Sequence, residues 1–204
     1  MVHIITDTTS ALSPEIAARY NIPVIPQIIN FGEESFHEGI DIDIQEFMRR
    51  LQKGDEHPKT AAPAPELFIK QFKHLTSDGE PILCIHPSTE VSGTVRSATI
   101  AAKEFPGADI RVIDTRLVAS PLGTLVKWAA QWAKEGQDAD AIEARIHEMA
   151  PRCHIYFLVA TLEYLARGGR IGGASALVGS VLQIKPILSW VNGKVEPFEK
   201  ERTM

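Results

Sequence analysis

Apolar residues fall in short runs separated by polar, cap-bearing segments, and the period of each run predicts an element. His3 to Thr6 is a short apolar strand ending at Asp7, followed by the polar loop Thr8-Thr9-Ser10. Ser13-Pro14-Glu15 reads as a helix start, with a cap, a proline in the first turn and a carboxylate near the positive end of a helix running to about Tyr20. Ile22 to Phe31 is rich in β-branched residues and predicts a strand, with Pro23 and Pro26 placing it at an edge or interrupting it. Helices are expected at Asp41 to Leu51, Glu66 to Leu75, Ser92 to Glu104, Leu117 to Glu135 and Asp138 to Ala150, the last with Ile142, Ile146 and Met149 on one side. Strands are expected at Pro81 to His86 and Asp109 to Asp114, and the proline-bearing stretch Lys53 to Pro65 reads as a loop.

The alternation of strands and helices argues an α/β domain with a largely parallel sheet. After Pro151 the texture changes. Ile155 to Thr161 reads as a strand, Gly168 to Gly173 as a glycine-rich loop, and Ala174 to Gln183 as a small-residue apolar helix. Lys185 to Val191 and Lys194 to Lys200 flank Asn192-Gly193, a strong signal for a two-residue hairpin. These features predict a first domain over residues 1–151 and a second over 152–204. A hairpin makes no stable domain alone, so the second is expected to be incomplete or to lean on the first.

Composition narrows the function without naming it. The chain has 204 residues, 44% hydrophobic and 23% charged, and a formal net charge of −5. That is long enough to bury a core without metal or disulfide support, and the acidic balance argues weakly against nucleic acid. The longest uncharged stretch, Ile171 to Ile184, is too short for a membrane span. The N-terminus has neither a basic region nor an apolar core of the kind that marks a signal peptide. Cys84 and Cys153 stand singly inside apolar runs and read as buried thiols in a reducing cytoplasm. No cysteine or histidine spacing suggests zinc.

Four segments carry candidate chemistry. Thr6-Asp7-Thr8-Thr9-Ser10 follows the first strand, where an α/β sheet opens toward a ligand crevice. Asp7 there is a nucleophile or ligand candidate, or it orders the turn. Ser88 to Thr94 joins a strand to a helix. Ser92, with the Gly93 and Thr94 amides, makes an anion site or a plain helix cap. Lys59 to Pro63 alone reads as a loop. Arg167 to Gly173 sets two arginines around glycines, suited to a phosphate, an acidic partner or simply a solvated turn. The apolar helix expected after it suits a core or the wall of an alkyl tunnel.

Taken together, several of these segments resemble one family. Ile4 to Ser10 with Leu12, Val91-Ser92-Gly93-Thr94 with Ser97-Ala98, Val112 to Thr115, Thr161 to Ile171, Lys185 to Leu188 and Gly193 to Val195 follow, in order, the pattern of the DegV family of bacterial fatty-acid-binding proteins. The resemblance implies two α/β domains with a long-chain fatty acid between them and no catalytic activity or cofactor. It implies that the carboxylate sits at Ser92 and the Gly93 amide, with Thr60 as a further hydroxyl donor. It also implies a separate ATP-dependent fatty acid kinase as partner, which makes acyl phosphate, with Arg170 and Arg202 on the face that meets it. Two departures stand out: Ala61 and Ala62 replace polar residues common in the family, thinning the head-group network, and family members are longer. The second departure leaves a scaffold that no longer binds lipid as one alternative. A hydrolase acting on phosphate or acyl esters through Asp7, His86 and Ser92 is another, against which stand the missing Asp-x-Asp and Gly-x-Ser-x-Gly patterns.

Overall fold

The structure is a computed structural model and describes residues 1–54, 57–177 and 186–198. Its centre is a four-stranded, wholly parallel sheet built from β1 (His3–Asp7), β2 (Val24–Ile25), β6 (Ile82–His86) and β7 (Ile110–Asp114), in the order β2-β1-β6-β7. Side chains alternate across it as a pleated strand requires. Ile4, Leu83 and Ile85 face a core closed by α5 (Ala119–Lys134) and α6 (Ala139–Met149). Ile5, Ile82 and Cys84 face the opposite core, closed by α3 (Pro65–Leu75) and α4 (Thr94–Ala102). Strands buried on both faces read as continuous apolar runs, which is why β6 is fully buried along its length. Phe68 and Phe72 of α3 are completely buried against this sheet, each contributing about 1.5–3 kcal/mol of apolar burial.

α1 (Pro14–Tyr20) begins as expected, with the Ser13 hydroxyl accepting from the Ile16 amide, and ends on Asn21 in the left-handed region. The predicted strand Ile22 to Phe31 divides at Pro26-Gln27. Its first part is β2 and its second, β3 (Ile28–Phe31), leaves the parallel sheet. β3 pairs antiparallel with β4 (Glu34–His37) and with β5 (Lys59–Ala61). Within the Lys59 to Pro63 segment, Lys59–Ala61 is thus a short exposed strand rather than a loop. Between β4 and β5 lies α2 (Ile44–Lys53), capped by Asp43 through the Glu46 amide at 2.8 Å.

The C-terminal region holds β8 (Tyr156–Phe157), α7 (Glu163–Arg167), β9 (Leu188–Val191) and β10 (Lys194–Pro197). The strand expected over Ile155 to Thr161 is only two residues long, pairing with Leu188 and Ser189 at the start of β9. Asn192 and Gly193 both take positive φ, 51° and 84°, closing the predicted β9–β10 hairpin. The hairpin docks on the parallel-sheet body: the Trp190 indole donates to the Arg116 carbonyl at 2.7 Å, and Lys194 pairs with Glu90 at 2.8 Å. The helix expected at Ala174 to Gln183 starts as a 3-10 segment, Gly172–Leu177, and the rest of it, with Lys185 and Arg202, lies outside the described residues. Cys84 is buried, but Cys153, just after α6, is only half-buried and packs on the edge of the α5–α6 core.

Candidate functional site

The strand order places a switch point between β1 and β6. The chain leaves β1 toward β2 on one side and leaves β6 toward β7 on the other, so the loops after β1 and β6 part and leave a crevice at their carboxyl ends. A cavity of about 1170 Å³ occupies this place. It is larger than the roughly 300–1,000 Å³ of typical small-molecule pockets. Its walls are mainly apolar, with Leu12, Ile22, Ile29, Phe47, Val118 and Trp190 among them. Thr8 and Thr9 come from the β1 loop, Gln27 from the β2–β3 break, Thr60 from β5 and Ser92 from the β6–α4 loop. Phe157, Leu165 and Arg170 reach it from the C-terminal region, so elements from both ends of the chain line one space.

The polar floor is a continuous hydrogen-bonded network. Asp7 and His86 end neighbouring strands on the same face, and both are fully buried, joined by Oδ2 to Nδ1 at 2.7 Å. The Thr9 amide and hydroxyl donate to Asp7 Oδ1 at 3.0 and 2.6 Å. Burial pushes the Asp7 carboxyl up, but the hydrogen bond and charge of His86, with the Thr9 donors, outweigh it and hold the pKa below the ordinary value. Gln27 Nε2 donates to Asp7 Oδ1 at 3.0 Å and to Thr94 Oγ1 at 2.9 Å. Thr94 Oγ1 lies 2.8 Å from Ser92 Oγ, which also accepts from the Thr94 amide at 3.3 Å. Thr8 hydrogen-bonds Glu38 and accepts from the Gln27 amide at 3.0 Å.

The residues singled out from sequence fall in different places. Ser92 and Thr60 share the large cavity. Gly93 is the N-cap of α4, and its amide has no acceptor among the described residues. It lines a smaller adjoining cavity of about 460 Å³, together with Arg96 and Arg170, which Ser92 also reaches. Arg170 lines both spaces, and its Nε donates to the Val91 carbonyl at 3.0 Å, tying the Arg-Gly loop to the Ser92 loop. Asp7 and His86 line neither cavity; His86 Nε2 is buried with no hydrogen-bond partner among the described residues, and its ring meets Phe68 edge-on with centroids 5.3 Å apart. Asp7 thus orders its own turn and strand ends rather than facing the crevice. Ser92 bonds to Thr94, and no Ser–His contact links it to the buried pair.

Sequence reading missed Gln27 and the hydroxyl of Thr94; it marked the Thr94 amide for an anion, and that amide instead donates to Ser92 Oγ at 3.3 Å. The signal for Gln27 is a lone amide inside an apolar β-branched run. For Thr94 it is a hydroxyl at the first helical position after Gly93. Among the described residues there is no cluster of three metal-ligating side chains. No helix there is long and apolar enough to cross a membrane.

Comparison with known proteins gives this crevice its context. The family model "Uncharacterised protein, DegV family" matches residues 1–204. A DegV domain-containing protein of Streptomyces coelicolor is 38% identical over 204 residues, covering 99% of this chain and 72% of the relative. A solved DegV family protein from Thermus thermophilus, described for its fatty acid binding, superposes with a TM-score of 0.90 at 35% identity, covering 99% of this chain and 72% of the other. A stearic-acid-binding protein from Eubacterium ventriosum superposes with a TM-score of 0.88 at 26% identity, covering 98% and 70%. On this match across its whole length, the chain belongs to the DegV family.

Proposed function

We propose that this protein binds a long-chain fatty acid in the crevice, with the carboxylate at Ser92, the Gly93 amide and Thr60 and the acyl chain along the apolar walls. The observation that carries the reading is the shape of the cavity: about 1170 Å³, mainly apolar, with the Ser92 hydroxyl on its wall beside the Gly93 amide, which has no acceptor among the described residues. Free amides at a helix start favour an anion. The relatives described as fatty-acid-binding share this fold over nearly all of the chain. The energetics suit the ligand. Each buried CH₂ contributes ~0.8 kcal/mol, so a long acyl chain offers on the order of 10 kcal/mol before association costs. The head group then serves mainly to orient.

On this reading residues 1–151 and 152–204 are the two bodies that enclose the ligand. The protein is a carrier without chemistry or cofactor of its own. It presents the carboxylate to a separate ATP-dependent fatty acid kinase, with Arg170 and Arg202 on the docking face. Because that partner consumes ATP, the reading carries a cytoplasmic location with it. The hydrolase alternative has less support, since Asp7 and His86 lie behind the cavity wall and Ser92 has no base beside it.

Titration with stearic acid tests the head-group site. Ser92→Ala is expected to bind about tenfold more weakly, ~1.4 kcal/mol, with the far-ultraviolet circular dichroism spectrum unchanged. Unchanged affinity would remove Ser92 from the site.

A further inference from the structure

We propose that Gln27 and Thr94 are positioning residues that force Ser92 to act as a hydrogen-bond donor toward the cavity, and so set a preference for an acceptor-only head group. This rests on the fatty-acid reading above and deepens it.

The donors and acceptors along the network fix the direction of each bond. Asp7 is buried and paired with His86, and an ionised carboxylate only accepts. It is therefore the Gln27 amide nitrogen, not its oxygen, that faces Asp7, in keeping with the 3.0 Å contact to Oδ1. The second proton of the same nitrogen points to Thr94 Oγ1 at 2.9 Å, so that oxygen accepts. Thr94 has one hydroxyl proton left, and its remaining partner is Ser92 Oγ at 2.8 Å. Ser92 Oγ accepts there and also from the Thr94 amide at 3.3 Å. Both of its acceptor positions are then occupied, and its own proton is left for the cavity that Ser92 lines.

Burial keeps this direction in place. Asp7 and Thr94 are fully buried and Gln27 is 7% exposed, so water does not compete for these bonds. The chain thus runs one way, from a fixed carboxylate through an amide and a threonine to a serine hydroxyl. A carboxylate accepts such a proton in a charge-assisted bond, roughly twice as strong as a neutral one. An alcohol of the same chain length accepts it in a neutral bond. The network is thus a device for telling a fatty acid from a fatty alcohol, and two of its members, Asp7 and Thr94, line neither cavity.

The test compares stearic acid with octadecanol on the purified chain. The wild type is expected to prefer the acid. Thr94→Val keeps the side-chain shape and removes the hydroxyl, and Gln27→Met removes both amide bonds. Each is expected to weaken stearic acid binding about tenfold and to narrow the acid-over-alcohol ratio, while octadecanol affinity changes little. Thr94→Ser restores the hydroxyl and is expected to restore the ratio. A structural defect would instead weaken both ligands equally, and that outcome overturns the proposal. So does an unchanged ratio in both variants when Ser92→Ala has already lowered acid binding. Failure of the wild type to bind either ligand is a separate result and would overturn the fatty-acid reading itself.

Discussion

Asp7 shows how one residue can matter for a site it does not line. Its carboxylate is fully buried, accepts from His86, Gln27 and Thr9, and fixes the end of β1 to the end of β6. Its pKa is lowered on folding, so the stability it contributes is present above the ordinary aspartate range and is lost as pH falls through the lowered value. Asp7→Asn is therefore expected to destabilise the protein at neutral pH by about 1–3 kcal/mol, through weakened buried hydrogen bonds. Its stability should also fall less steeply than the wild type's as pH drops. Urea unfolding at a series of pH values measures both, and parallel curves for the two proteins would contradict this role. Ser92 was legible as a site candidate because a serine, a glycine and a helix start coincide in sequence. Gln27 was not, because a single amide within an apolar run carries no local signature, and its partners Asp7 and Thr94 lie 20 and 67 residues away.

At the level of elements, long periodic segments were readable and short ones were not. The β6, α5 and α6 segments announce themselves by continuous or helical apolar patterns, and the structure places each within a few residues of expectation. β5 is three exposed residues between Pro58 and Pro63, with no apolar face to betray it, yet it carries Thr60. Only its pairing with β3 makes it a strand, and that pairing spans about 30 residues of chain. The β9–β10 hairpin was readable from Asn192-Gly193, but its docking was not. A Cβ at Gly193 would clash with the Ser88 hydroxyl, and its φ of +84° disfavours any other residue. Gly193→Ala is accordingly expected to cost about 1–2 kcal/mol from the backbone alone, plus the clash with the Ser88 loop. Gly107→Ala, where nothing lies within 4 Å and φ is ordinary, serves as the control and should leave the melting temperature nearly unchanged. Equal melting temperatures for the two variants would show that the hairpin does not rest on that loop. Asp43→Ala, which removes the cap of α2, is expected to cost about 1 kcal/mol by the same measurement, and an unchanged melting temperature would contradict the cap's role.

For the whole molecule, the crevice is what the three sheets among the described residues have in common. The parallel sheet supplies the switch point, the β3–β4–β5 sheet supplies Ile29 and Thr60, and the C-terminal sheet supplies Phe157, Trp190 and Val195. A ligand that bridges all three should stabilise the fold as a unit. At a hundredfold excess over its dissociation constant, stearic acid is expected to add about 2.7 kcal/mol, a rise of roughly 5–10 °C in melting temperature. No shift in differential scanning calorimetry would mean that the ligand does not join these walls. The most direct test of the central claim is native mass spectrometry of the purified 204-residue chain, followed by lipid extraction. The account predicts an added mass of one long-chain fatty acid per chain, released on denaturation and identified in the extract. A folded chain that stays at its bare mass, even after incubation with stearic acid, would contradict it.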